Sequence, residues 1–110
     1  MHRPLYKYHM PEVLSPAARV FGDRVRLART GLALSQETVA ALAQMHVTNY
    51  GKIERGAANP SLLTIVRIAT VLGCDVAALT GGLEGEHLPP QLSVVTAAEY
   101  LRERERRRIA

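Results

Sequence analysis

The side chains best suited to catalysis or metal binding do not gather anywhere along this chain. His2, His9, His46 and His87 are spread without the i, i+4 spacing that would set two imidazoles on one helix face. Cys74, the single cysteine, has no histidine near it in sequence and is expected to be a small buried apolar residue. No catalytic group, metal site or cofactor is therefore expected. One cysteine also precludes an intrachain disulfide. No apolar run approaches the roughly 18 residues of a membrane span, and the charges near the N-terminus have no apolar export core behind them. The expected setting is the cytoplasm, without membrane contact.

What does cluster is positive charge. The 110 residues carry a net charge of +4. Residues 17–82 hold seven basic and four acidic side chains, whereas 83–110 hold five of each. A basic middle segment fits a partner that carries phosphates, and it fits a solvated surface equally well.

The elements that must position any such surface can be read from stop and start signals. Residues 1–14 show no helical or strand period, are interrupted by Pro4 and Pro11, and read as an extended arm. Ser15-Pro16 is a capping residue followed by a proline at the first helical position. The helix it opens runs to about Thr30, with Val20, Phe21, Val25, Leu27 and Ala28 as its apolar stripe and Gly31 as its stop. Ser35 caps a second helix from Gln36 to about Ala43, with Glu37 in the first turn, where the helix dipole favours a negative charge.

After Gln44-Met45-His46 a third short helix spans Val47 to Arg55, closed by Gly56 in the left-handed position. Ala57 to Pro60 form a loop. Ser61 then caps a fourth helix, in which Leu62, Ile65, Val66, Ile68, Ala69 and Leu72 follow helical spacing up to Gly73. Asp75 opens a fifth, Val76 to about Thr80. With only one Phe and no Trp, the core is expected to rest on Leu, Val, Ile and Ala.

Residues 83–110 read as a separate extension. Pro89-Pro90 breaks the chain, and Leu92 to Val95 is a short strand or an extended segment. Thr96 caps a last helix from Ala97 to about Arg108. That helix is charged almost all round and is expected to fray, with Glu99 pairing Arg102 and Glu103 pairing Arg107.

Two short helices joined by a tight turn are what a reader of double-stranded DNA needs, because one helix fits the major groove, about 12 Å wide, while its partner spans the backbone. The strings Ser35-Gln36-Glu37, Val39-Ala40, Ile53-Glu54-Arg55-Gly56, Asn59-Pro60-Ser61 and Ala69-Thr70-Val71-Leu72-Gly73 resemble the Cro and phage-repressor helix-turn-helix family, often called the XRE family. The resemblance runs from Phe21 to Leu79. It implies an all-α, five-helix, lambda-repressor-like DNA-binding domain over 15–82, between the N-terminal arm and the C-terminal extension with its charged helix. It also implies a bacterial or phage transcriptional regulator working in the nucleoid, commonly a repressor that binds an inverted repeat as a homodimer.

By position, the resemblance makes Val47, Thr48, Asn49 and Lys52 the base-reading residues. Val47 and Thr48 can pack on a thymine methyl, Asn49 can pair with adenine, and Lys52 can donate to guanine or to a phosphate. Gln36, Arg55, Asn59 and His46 become candidates for the DNA backbone. Asn59 could instead simply form its turn, and His46 could be an ordinary surface residue. Arg29 and Glu54 are implied as a structural ion pair.

Three residues depart from the family pattern: Gln44 stands where a glycine is usual, His46 where a small cap is usual, and Gly51 lies inside the third helix. Close approach to DNA or tight packing on the second helix would explain Gly51. Dimer contacts are expected through Val76, Ala77 and Leu79, with Val94, Val95, Tyr100 and Leu101 as a second surface. The extension also raises a reading of another class, a protein-interaction module such as an antitoxin or bridging cofactor, with a protein partner at the C-terminal segment.

Overall fold

The computed structural model describes residues 13–110; the arm expected over 1–14 therefore lies almost wholly outside the described residues. Six α-helices and one 3-10 turn follow in order: α1 (Pro16–Gly31), α2 (Gln36–Leu42), α3 (Val47–Glu54), α4 (Leu62–Leu72), α5 (Val76–Thr80), the turn Gly85–His87, and α6 (Ala97–Ile109). No helix among the described residues is long and apolar enough to cross a membrane.

Local chemistry starts and stops these helices much as their sequence suggests. The Ser15 hydroxyl accepts the Ala18 N–H at 3.0 Å with Pro16 at the first position, Ser35 accepts Thr38 N–H at 3.1 Å, and Ser61 accepts Thr64 N–H at 3.2 Å. Each contact satisfies one of the backbone donors that a helix start leaves open. At the other ends, Gly56 (φ +75°) and Gly73 (φ +73°) take the left-handed conformation.

One stop lies elsewhere than expected. Gly31 is itself helical, Leu32 is the C-cap, and the left-handed residue is Ala33, at φ 59°. The Leu32 and Ala33 N–H groups close onto the Arg29 and Thr30 carbonyls, so hydrogen bonding decides the turn where glycine preference does not.

The core is a single cluster built where α1 packs on α3 and α5, and α2 packs on α3 and α4. Phe21, Val25, Val39, Ala40, Tyr50, Ile53, Ile68, Ala69, Leu72 and Leu79 are buried in it. Tyr50 is its largest fully buried side chain, so the interior is less purely aliphatic than the composition suggests. Three residues expected in the buried stripes face out instead: Leu27 (66% exposed), Leu62 (73%) and Val66 (43%). These helices bury a narrower face than their apolar spacing allows. Cys74 is half-buried and packs against the core. Leu79 is 2% exposed, which removes it from the expected dimer surface; of its companions, Val76 packs against the core and Ala77 is exposed.

Beyond α5 the turn Gly85–His87 packs against α1, and the chain after it is open. Residues 90–102 are exposed throughout, and Leu92 to Val95 form no strand. The last helix runs without a break to Ile109. Thr96 and Glu99 form a reciprocal capping box, with Glu99 N–H to Thr96 Oγ1 at 3.1 Å and Thr96 N–H to Glu99 Oε1 at 3.0 Å. Glu99 is thus spent on the cap and not on Arg102. Glu103 pairs with Arg106 and Arg107, and Glu105 with Arg108.

Candidate nucleic-acid interface

The turn between α2 and α3 decides how α3 is presented. It is made by Ala43, Gln44 and Met45, and Gln44 takes φ +57°, a left-handed conformation that costs a residue with a Cβ about 1–2 kcal/mol. Gln44 therefore tolerates the strained position, and the turn keeps its geometry without glycine. Gln44→Gly is expected to stabilise the fold by about 1 kcal/mol, seen as a higher urea midpoint at unchanged slope. His46 then serves as the N-cap, its Nδ1 accepting the Thr48 N–H at a long 3.5 Å, a weak substitute for a serine cap.

Helix α3 has two distinct faces. Tyr50, Gly51, Ile53 and Glu54 are buried, while Thr48, Asn49 and Lys52 are exposed together on the other side. Val47 is half-buried against the core, so only part of it is available to a ligand. Arg55 ends the helix and is exposed, as are His46 and Asn59.

The inner face is fixed by charge. Glu54, 4% exposed, receives Arg29 Nε at 2.7 Å and Arg29 Nη2 at 2.9 Å, a bidentate pair joining α1 to α3. Gln36 Nε2 donates to the same carboxylate at 2.9 Å, which ties in the start of α2. Arg29 Nη1 also holds the Leu34 carbonyl at 2.9 Å. Burial pushes the Glu54 carboxyl up, but the hydrogen bonds from Arg29 and Gln36 and the charge of Arg29 outweigh it and hold the group below the usual carboxylate range. Burial pushes the neighbouring Tyr50 hydroxyl up, which keeps it protonated; it closes no hydrogen bond of ordinary geometry. The one acidic side chain of α3 is thus internal and neutralised, and the outer face carries positive charge from Lys52 and Arg55 alone.

One feature here is hidden from sequence reasoning. Gln36, expected at the DNA backbone, has its amide engaged by Glu54 in this state. Gly51 is buried, but a Cβ there would lie 3.2 Å from the end of the flexible Arg55 side chain and 3.6 Å from Gln36 Oε1, an ordinary contact distance, so neither neighbour demands a glycine.

The helix-turn-helix family model matches residues 25–79. A relative from Bacillus subtilis (strain 168), the SPbeta prophage-derived uncharacterized HTH-type transcriptional regulator YonR, is 34% identical over 68 residues, which are 62% of this chain and 60% of that protein. This chain therefore matches less than two thirds of that relative. Among solved structures, the restriction-modification controller protein C.AhdI from Aeromonas hydrophila is 40% identical with a TM-score of 0.55, over 56% of this chain and 94% of that one. The hypothetical transcription factor NHTF from Neisseria is 29% identical with a TM-score of 0.56, over 68% of this chain and 78% of that one.

Proposed function

The chain belongs to the helix-turn-helix family, and from that premise we propose that it is a sequence-specific DNA-binding transcriptional regulator that inserts α3 into the major groove. The observation that carries this is the division of α3 into a locked inner face and an outer face where Thr48, Asn49 and Lys52 stand exposed side by side. These three offer a methyl, an amide and a cation, the types that read thymine, adenine and guanine edges. Arg55, His46 and Asn59 flank them and are assigned to the phosphates on either side.

One such helix contacts too few base pairs to select a site in a genome, so the active form is a homodimer on an inverted repeat with half-sites about one helical turn apart. Repression by occupying a promoter is the mode that such binding supplies directly. Val94, Val95, Tyr100 and Leu101, all exposed, are available as a dimer surface.

Single substitutions test the assignment. Thr48→Ala and Lys52→Ala are expected to change which duplexes are preferred, each base contact contributing about 1–3 kcal/mol of discrimination. Gln36→Ala is expected to weaken all duplexes alike. The measurement is competitive binding against a panel of single-base variants of the preferred site; an unchanged ranking in both the Thr48 and Lys52 variants would remove α3 from base reading.

A further inference from the structure

Beside the outer face of α3 lies a hollow of about 310 Å³, walled by Asn49 and Lys52 on one side and by Asn59, Ser61, Thr64 and Arg67 on the other. Two of its lining residues are cationic and none is acidic. Arg67 Nε is buried and has no hydrogen-bond partner among the described residues. Among the described residues the guanidinium makes one long contact, Nη2 to Thr64 Oγ1 at 3.4 Å, and takes part in no ion pair. A buried charged donor without an acceptor is costly, and proteins seldom keep one unless something else satisfies it. An anion with several acceptor oxygens would supply that acceptor, in the geometry a guanidinium fork fits best.

We propose that this hollow is a DNA backbone phosphate site with Arg67 as its principal contact and Lys52 on the facing wall. The site rests on the reading of α3 as the DNA-facing helix, since the hollow is continuous with that helix through Asn49 and Lys52. It places a phosphate against the first turns of α4 and so fixes how far the duplex tilts towards the loop after α3. Arg67 thereby joins the interface from an element that contributes nothing to base reading. Sequence spacing gives no hint of it, because Arg67 sits 12 residues beyond Arg55 among the apolar positions of α4.

The test uses the full chain with its preferred duplex, a random duplex, and a series of preferred duplexes each carrying one neutral methylphosphonate. Arg67→Met is expected to weaken preferred and random duplexes by the same factor, on the order of tenfold for a lost charge-assisted hydrogen bond. It is also expected to reduce the slope of log K against log salt by about 0.9, the value of one phosphate contact. One methylphosphonate position should weaken the wild type and leave Arg67→Met unaffected. Arg67→Lys, which keeps the charge and lacks Nε, should retain the wild-type salt slope and show a smaller penalty at that same position; this decides the matter even if Arg67→Met does not fold. Wild-type selection of a duplex together with unchanged affinity, slope and methylphosphonate profile in a folded Arg67 variant overturns the site alone. A wild type that selects no duplex overturns the reading of α3, and the site with it.

Discussion

Glu54→Gln is expected to destabilise the fold by about 3–5 kcal/mol, the range for breaking a buried ion pair on one side. The size follows from what the change leaves behind. Arg29 keeps its charge with its side chain only 13% exposed, and loses the carboxylate that receives Nε and Nη2. Gln36 loses its partner as well. Three helices are tied through one carboxylate, so the loss is shared by α1, α2 and α3 rather than confined to α3. Removing both charges together, as Arg29→Met with Glu54→Leu, is expected to recover much of the loss, because an intact buried pair adds little net stability. Urea unfolding of Arg29→Met, Glu54→Leu and the double variant, closed as a cycle, measures the coupling.

The same carboxylate sets an acid limit on the fold. A carboxyl held lower in the folded than in the unfolded chain contributes stability that is complete above the unfolded value, about 4.3 for Glu, and lost as pH falls through the folded one. The Glu54 contribution is therefore intact at neutral pH and decays only in acid, below the usual carboxylate range. Glu54→Gln should be less stable at pH 7 and should lack this part of the acid-dependent decline.

Gly22→Ala is the second large effect. A Cβ on Gly22 would lie 2.3 Å from the Ile53 carbonyl oxygen and 2.7 Å from that of Glu54. Both are backbone atoms at the end of α3 and cannot rotate away, so α1 and α3 must separate. Overpacking of a core contact costs about 1–3 kcal/mol and sometimes more; with backbone on both sides the upper end is expected. Alanine's better helix propensity returns roughly 1 kcal/mol and does not change the sign. Since α1 is what α3 leans on, DNA affinity should fall with stability. Gly31→Ala is the control: nothing lies within 4 Å of its Cβ, and that variant should be no less stable than the parent. Thermal melts of the two variants beside the parent check both statements.

These two sites mark where sequence reading ends. Ser15, Ser35, Ser61 and Thr96 are legible as caps because a cap is a contact between residues two or three apart, and Gly56 and Gly73 are legible as stops for the same reason. Arg29 with Glu54 is legible only through family resemblance, since nothing in their spacing of 25 residues demands contact. The closeness of Gly22 to α3, the burial of Tyr50 and the unpartnered Nε of Arg67 follow from how helices are stacked, which periodicity does not encode. Ala33 and Gln44 show the converse. Each is left-handed against its own preference because the surrounding turn closes its hydrogen bonds that way. At the interface, the residue types on α3 are legible, whereas the division between reading and packing is not: Val47 turns partly inward and Gln36 is held by Glu54.

Selection from a pool of random duplexes, carried out with the full chain at two salt concentrations, tests most directly whether α3 reads sequence. The expected result is enrichment of one inverted-repeat motif at both concentrations, with affinity but not motif depending on salt. Weak binding that enriches no sequence and disappears as salt rises would contradict it.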